Sequence, residues 1–517
     1  MKIEGINSNH LLESSSTTEQ LELTMPAFQD FSDYVDNHKT DFIDRLTTAV
    51  SIKSVSGNTT PDGRDEVIRM GHWLGDRLKE VGVSVELRDI GEQSVKVDDQ
   101  DTTIPLPPIV LGKIGNDTSK KTILVYGHYD VQPAPSDDDF NLKVDDAKDT
   151  MTGRGSTDDK GPIMGWLNVL EAHHALGLQL PVNMRFCFEG MEESDSTGLD
   201  DLIIEEAKKG DQGAFDHVDY VCISDNYWLS TMTPAITYGL RGIAYFEVNI
   251  KGPGKDIHSG IYGGTVFEPM TDLFAIMSKL VRSDDAHILI PGVYDGIPEP
   301  TEEEREEFRK MKFSIIDDLE IPIGGNVAIS SDPVVVLMNR MRNPSLSIHG
   351  IFGDVSGVEG ATIIPGNVTG RFSIRLVKPQ TPDDINKKVT EYLNYEFKKL
   401  ASKNTLTVTM VTKGDAWVEN RDSPNYAAAI AATEEVWGMT PDETREGGSI
   451  PIVLTFSEQL KKNILLLPMG RGDDGAHSDV EKMNISNFMI GTKLLGSYLY
   501  KIAGQYAIRQ SVIVGDG

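Results

Sequence analysis

The run Val182–Phe188 is apolar enough to be buried on both faces, and it ends at a Gly190-Met191 turn that opens into two adjacent carboxylates, Glu192 and Glu193. Short apolar, aromatic runs bounded by glycine read as core strands. The end of a buried strand is where open α/β sheets place their ligands, outside the carboxyl edge. An isolated Glu pair is ordinarily solvated surface. If direction alternates here, one carboxylate can bind a metal while its neighbour takes a proton from a water.

What gives this turn weight is its company. A second apolar run, Thr122–Tyr126, stops at Gly127 and is followed by His128, Tyr129 and Asp130. Asp130 can accept from the ring nitrogen of His128 that faces away from a ligand, which fixes the tautomer. GRGSTDDKGP, residues 153–162, presents Asp158 and Asp159 ahead of a helix expected to run to about Leu176. Its glycine spacing matches no phosphate loop, and paired aspartates would repel a phosphate. Asp159 serves equally well as a helix cap, and His173 and His174, near that helix's end, read as surface residues. A third run, Val218–Ile223, ends in Ser224-Asp225-Asn226, and a fourth, Ile464–Leu467, leads into a Gly-rich loop carrying His477. Asp158, Glu193, Asp225 and Glu192 together carry four negative charges. One divalent ion would leave an excess, whereas two neutralise it, with one carboxylate bridging.

Composition narrows the classes. Lys and Arg total 49 against 80 Asp and Glu, a net charge of −31, so nucleic acid and anionic membrane are excluded as partners. Part of that charge, such as the acidic run from Glu299, reads as solvated surface. Two cysteines, Cys187 and Cys222, sit inside apolar runs, as buried thiols do in a reducing compartment. No apolar run reaches the roughly 18 residues of a membrane span, and a cytoplasmic location follows as the expectation. Residues 1–24 are polar and rich in Ser and Thr, a disordered tail by composition. Helical spacing recurs from Phe28 to Val50 and from Asp65 to Val81.

The motifs GHYDVQPA, GRGSTDDKGP, FEGMEES, CISDNYW, TYGLRG, DIHSGIYGG, REGGSIP and GRGDDGAHS, in that order, resemble the M20 family of metallopeptidases. Within it they are most similar to the nonspecific dipeptidases, and above all to the fungal Cys-Gly metallodipeptidase group of glutathione breakdown. The resemblance implies two divalent ions, zinc or manganese, with His128, Asp158 and Asp225 on one and Asp158, Glu193 and His477 on the other. It makes Glu192 the general base and Asp130 the partner of His128, and it implies a cis peptide between Asp158 and Asp159.

The span between Asp225 and His477 reads strand, helix, strand, strand, helix, strand, with strands at Ile243–Ile250, Ser345–Ile351, Thr369–Val377 and Thr405–Val411. The helices are expected at Thr265–Val281 and, capped by Thr381, Pro382–Leu400. That order is the split βαβ layout of a ferredoxin-like domain. With the family resemblance, the expected architecture is a mixed-sheet, zinc-peptidase-like α/β catalytic domain, 25–238 and 416–508, with an inserted ferredoxin-like domain at 239–415 that the resemblance implies is a lid and dimerisation domain, and a tail at 509–517. By resemblance, Arg375, Thr362 and Ser449 bind the substrate's carboxylate end, and His258 faces the carbonyl oxygen from the partner subunit of a homodimer. Ser449 lies in no GxSxG elbow, which speaks against a serine mechanism. The expected activity is hydrolysis of dipeptides, Cys-Gly foremost. Carnosine-type dipeptidase and N-acyl amino acid deacylase are the alternatives on the same site, and a catalytically silent scaffold is the alternative from another class.

Overall fold

The computed structural model describes residues 27–97, 100–353, 362–448 and 450–513. The stretch 1–24, read as a tail, and Ser449 lie outside the described residues, as do 514–517 of the expected C-terminal tail. The final helix runs Ile485–Ile513. The chain divides into two compact units: Met1–Tyr238 with Glu419–Glu443 and Thr455–Gly517, and Gly239–Val418 with Thr444–Leu454.

The first unit is built on a mixed sheet in the spatial order Ser84–Arg88, Ile109–Ile114, Asn183–Glu189, Thr122–His128, Tyr220–Ile223, Asn463–Leu466 and Ala235–Leu240. The middle of the sheet is parallel and its flanks are antiparallel. Thr122–His128 and Asn183–Glu189 are buried at every residue, as expected of parallel strands covered on both faces. Register places His128 beside Glu189, Tyr126 beside Ile223, and Ile223 beside Leu466. The parallel strands therefore finish level, and the four acid- or histidine-bearing loops leave from one edge.

Helices cover the sheet. Pro61–Glu80 starts at Thr60, whose hydroxyl accepts the Gly63 N–H at 3.2 Å, and turns Val67, Met70, Leu74 and Leu78 inward. Each such side chain contributes roughly 1.5–3 kcal/mol on burial. Lys160–Leu176 packs against both Lys39–Ser51 and the final helix. Apolar on nearly all sides, it has little solvent face, which corrects the reading of His173. That ring is buried, with Nδ1 2.7 Å from the Val169 carbonyl and Nε2 3.0 Å from the Tyr500 hydroxyl. His174 is exposed. Cys187 and Cys222 are free and buried. Among the described residues no helix is long and apolar enough to cross a membrane.

The second unit holds an antiparallel sheet ordered Ser345–Gly353, Asn367–Leu376, Gly242–Lys251, Thr405–Gly414, packed by helices Pro269–Met277 and Pro382–Lys399. In chain order the spatial sequence is second, third, first, fourth strand, the ferredoxin-like arrangement. Gly242–Lys251 alternates strictly between buried and partly exposed residues over most of its length; Ala244, Phe246, Val248 and Ile250 meet Leu273, Ile276, Val389 and Leu393 of the two helices. The first helix is shorter than its apolar periodicity implied, because Pro269 sets its first turn. The helices that were not anticipated include Glu302–Lys310 and Pro333–Met341. The first lies in the acidic run read as plain surface. Thr301 caps it, and Phe308 is its one buried side chain, too sparse a signal for periodicity to reveal.

Candidate metal centre

His128 ends its strand with the ring buried, Nε2 3.1 Å from Asp158 Oδ1 and 3.7 Å from Asp225 Oδ1. Nδ1 lies 3.1 Å from the main-chain carbonyl of Asp130 and 3.5 Å from its carboxylate. A proton on Nδ1 donated to that carbonyl leaves Nε2 as the free lone pair aimed at the two aspartates. The Asp130 carboxylate also reaches the neighbouring turn, where Oδ1 accepts the Glu192 N–H at 3.2 Å and Oδ2 the Glu193 N–H at 3.0 Å. One buried acid thus ties the His128 loop to the Glu192-Glu193 turn.

Asp158 uses its other oxygen toward His477, with Oδ2 3.1 Å from Nε2, and the same Nε2 lies 3.0 Å from Glu193 Oε2. The atoms that could hold a metal form two groups that share Asp158, namely His128, Asp158, Asp225 and Asp158, Glu193, His477, each with all atoms within 4.8 Å of one another. His477 has φ +61°, a left-handed conformation that non-glycine residues adopt uncommonly. The Asp158–Asp159 bond is cis. Asp159 caps nothing with its side chain; its Oδ2 accepts the His128 N–H at 3.1 Å. That approach requires Gly127, since a Cβ there would stand 2.5 Å from the same oxygen.

The electrostatics are those of uncompensated negative charge. Burial pushes Glu192 well above the usual carboxylate range; His128 opposes the shift, and Asp225, Glu193 and Asp130 add to it. Asp225 is likewise raised by burial, against the pull of His128. For Asp158 burial acts upward, but the hydrogen bonds to His128 and His477 outweigh it and hold the group low. The His477 imidazole is pushed up to about 10 by Asp158 and Glu193. The nearest lysine in sequence, Lys160, turns away: its Nζ donates to the carbonyls of Ala49 and Ile52 at 3.0 and 2.7 Å. Imidazole nitrogens and carboxylates converging, with no lysine or arginine paired to them among the described residues, are the donor set of a divalent cation site. The residues fit two such ions.

Sequence reasoning passed over Gln132, whose Nε2 donates to Glu193 Oε2 at 2.8 Å, and Tyr227, whose buried hydroxyl has no hydrogen-bond partner among the described residues. The GHYDVQPA and CISDNYW motifs contained both. In the second unit, Ile257–His258 pairs with Ile363–Ile364 and the Ser259 N–H reaches the Thr362 carbonyl at 2.9 Å, so His258 and Thr362 are neighbours. The exposed His258 ring accepts the Gly260 N–H through Nδ1 at 2.9 Å. Arg375 pairs with Ile243 and Ser345 on the neighbouring strands and is half-buried; burial lowers its pKa and Glu446 opposes that.

Residues 124–501 match the model of peptidase family M20/M25/M40. The chain is 48% identical over 495 residues to a Cys-Gly metallodipeptidase of Candida albicans, covering 95% of this chain and 99% of that protein. Among solved structures it is similar to the Saccharomyces cerevisiae dipeptidase Dug1p, with TM-score 0.83, 43% identity and coverage of 92% and 98% of the two chains. Human carnosine dipeptidase 1 is also similar, with TM-score 0.83, 38% identity and coverage of 92% and 98%.

Proposed function

The chain belongs to peptidase family M20/M25/M40, and from that premise we propose that it is a metallodipeptidase that hydrolyses Cys-Gly in glutathione degradation. The observation that carries this reading is the pair of ligand groups sharing Asp158, with the partly buried carboxylate of Glu192 beside them. His128, Asp158 and Asp225, and Asp158, Glu193 and His477, would hold divalent ions, zinc or manganese, whose chemistry there would be Lewis acidity toward a carbonyl and a water.

The chain's own groups do the rest. Glu192 takes a proton from the attacking water and returns it to the leaving amine. Asp130 fixes the His128 tautomer and the Glu192-Glu193 backbone together. Arg375, with Thr362 and Ser449, clamps the substrate's terminal carboxylate, for which a guanidinium fork is suited. His258, contributed by a second copy of the chain, donates to the carbonyl oxygen as negative charge develops. The active form is then a homodimer acting in the cytoplasm.

A second reading, β-alanyl-histidine hydrolysis, is favoured by the likeness to human carnosine dipeptidase 1. Assaying Cys-Gly, its C-terminal amide, β-alanyl-histidine and an N-acetyl amino acid separates the possibilities. The proposal expects Cys-Gly to be cleaved with the highest kcat/KM and its amide hardly at all. Preference for β-alanyl-histidine would select the second reading, and cleavage of the N-acetyl compound alone would reject both.

A further inference from the structure

The loop that carries Asp158 and the loop that carries His477 are more than 300 residues apart, yet they share a buried carboxylate that the chemistry above does not use. Glu481 is 3% exposed. Its Oε1 accepts the N–H of Thr157 at 2.9 Å and of Asp158 itself at 3.1 Å. Its Oε2 accepts the N–H of Gly155 at 2.9 Å and Arg154 Nη1 at 3.0 Å. Arg154 completes the circuit by donating through Nη2 to the carbonyl of Ser478, the residue after His477, at 2.7 Å. Beside this, Asp474 Oδ2 takes the Thr157 hydroxyl and the Arg471 N–H, both at 2.9 Å, and Oδ1 takes Lys482 Nζ at 2.7 Å. The packing is close enough to require Gly470, where a Cβ would lie 2.7 Å from Thr157 Oγ1.

We propose that Glu481 is a positioning residue that sets the separation of Asp158 and His477, and thereby the bite of the Asp158–Glu193–His477 ligand group. The inference rests on the metal-site reading above. Metal–ligand distances tolerate only about 0.2 Å, so a ligand whose own amide is clamped, joined to the segment bearing the opposing imidazole, is preformed for the ion rather than assembled by it. Four donors converge on two oxygens, and each oxygen receives two. Glutamine cannot replace this, because its amide nitrogen would face two of those donors; aspartate keeps both oxygens but withdraws them by one methylene. Groups that orient metal ligands are worth about 10- to 100-fold in affinity or activity.

A buried carboxylate can also be simple fold glue, and Glu206 supplies the matched control. It accepts Arg88 Nη1, Lys209 Nζ and the Ala214 N–H, each at 2.7 Å, and is 2% exposed, with none of these partners in the ligand groups. The test titrates the metal-stripped full chain with Zn2+ against a chromophoric chelator, for the natural sequence, Glu481→Gln, Glu481→Asp and Glu206→Gln, and follows thermal melting of each stripped protein. The expected result is that Glu481→Gln weakens binding of one of two ions by about 10- to 100-fold, Glu481→Asp by less, and Glu206→Gln does not weaken it whatever its melting loss. Glu481→Asp carries the test if Glu481→Gln does not fold. Natural affinity in the Glu481 variants, or an equal loss in Glu206→Gln, overturns the proposal. Failure of the unaltered chain to bind Zn2+ would instead overturn the metal-site reading.

Discussion

The Asp130 carboxylate lies 3.0 Å from the main-chain nitrogen of Glu193, so the acid that follows the His128 strand also fixes a residue that follows the neighbouring strand. Replacing Asp130 by Ala removes the anchor of the Glu192-Glu193 turn while leaving every proposed metal ligand in the chain. We expect metal affinity or turnover to fall about 10- to 100-fold, as measured by ion titration and steady-state kinetics. Unchanged values for both would show that the turn holds its place unaided.

Glu192→Ala separates base from ligand. Metal content should stay near that of the natural sequence while kcat falls at least about 10²- to 10⁴-fold, the usual worth of a positioned general base. Elemental analysis and turnover of the same preparation decide it, and near-normal turnover would remove Glu192 from the mechanism.

Much of this site was legible because strand ends announce themselves. His128, Glu193 and Asp225 each follow an apolar run that stops abruptly, and Asp158 and His477 each sit in a glycine-punctuated loop. The ferredoxin-like order was legible for a similar reason, since Gly242–Lys251 alternates with the period of a strand. What escaped has its own physical cause. Glu481 and Gln132 act through hydrogen bonds to loops distant in sequence, and no local pattern encodes a partner on another segment. His173 was misplaced because a helix end suggested water, whereas that helix is covered along most of its length. Glu302–Lys310 buries too little to show a period.

His173 provides a pH test of stability. Burial lowers its pKa below the ordinary value of 6.5, so the folded state resists a proton that the unfolded chain accepts. Stability from this group is present above the unfolded pKa and is lost as pH falls below about 6.5. Melting temperatures at pH 7.5 and 5.5 should therefore drop more for the natural sequence than for His173→Phe. An equal drop in both would show that the ring is not titrating against the fold.

If His258 serves the site of a partner copy, two inactive variants should rescue each other. A His258→Ala chain retains Glu192, and a Glu192→Ala chain retains His258, so a mixed dimer has one complete site. Random re-pairing in equal amounts makes about half the dimers mixed under two-fold symmetry and restores about a quarter of all sites. Cys-Gly hydrolysis after dissociation, mixing and verified exchange measures this. Activity fixed at the parental mean would show that His258 acts in its own chain or not at all.

Dipeptide hydrolysis by this chain should depend on divalent ions held by the two groups that share Asp158, and the direct measurement is metal content and Cys-Gly turnover on one sample through a cycle of chelation and refilling. We predict about two ions per chain, turnover lost with the metal, and recovery on adding zinc or manganese. Cys-Gly hydrolysis that persists undiminished in the metal-free chain would contradict the account.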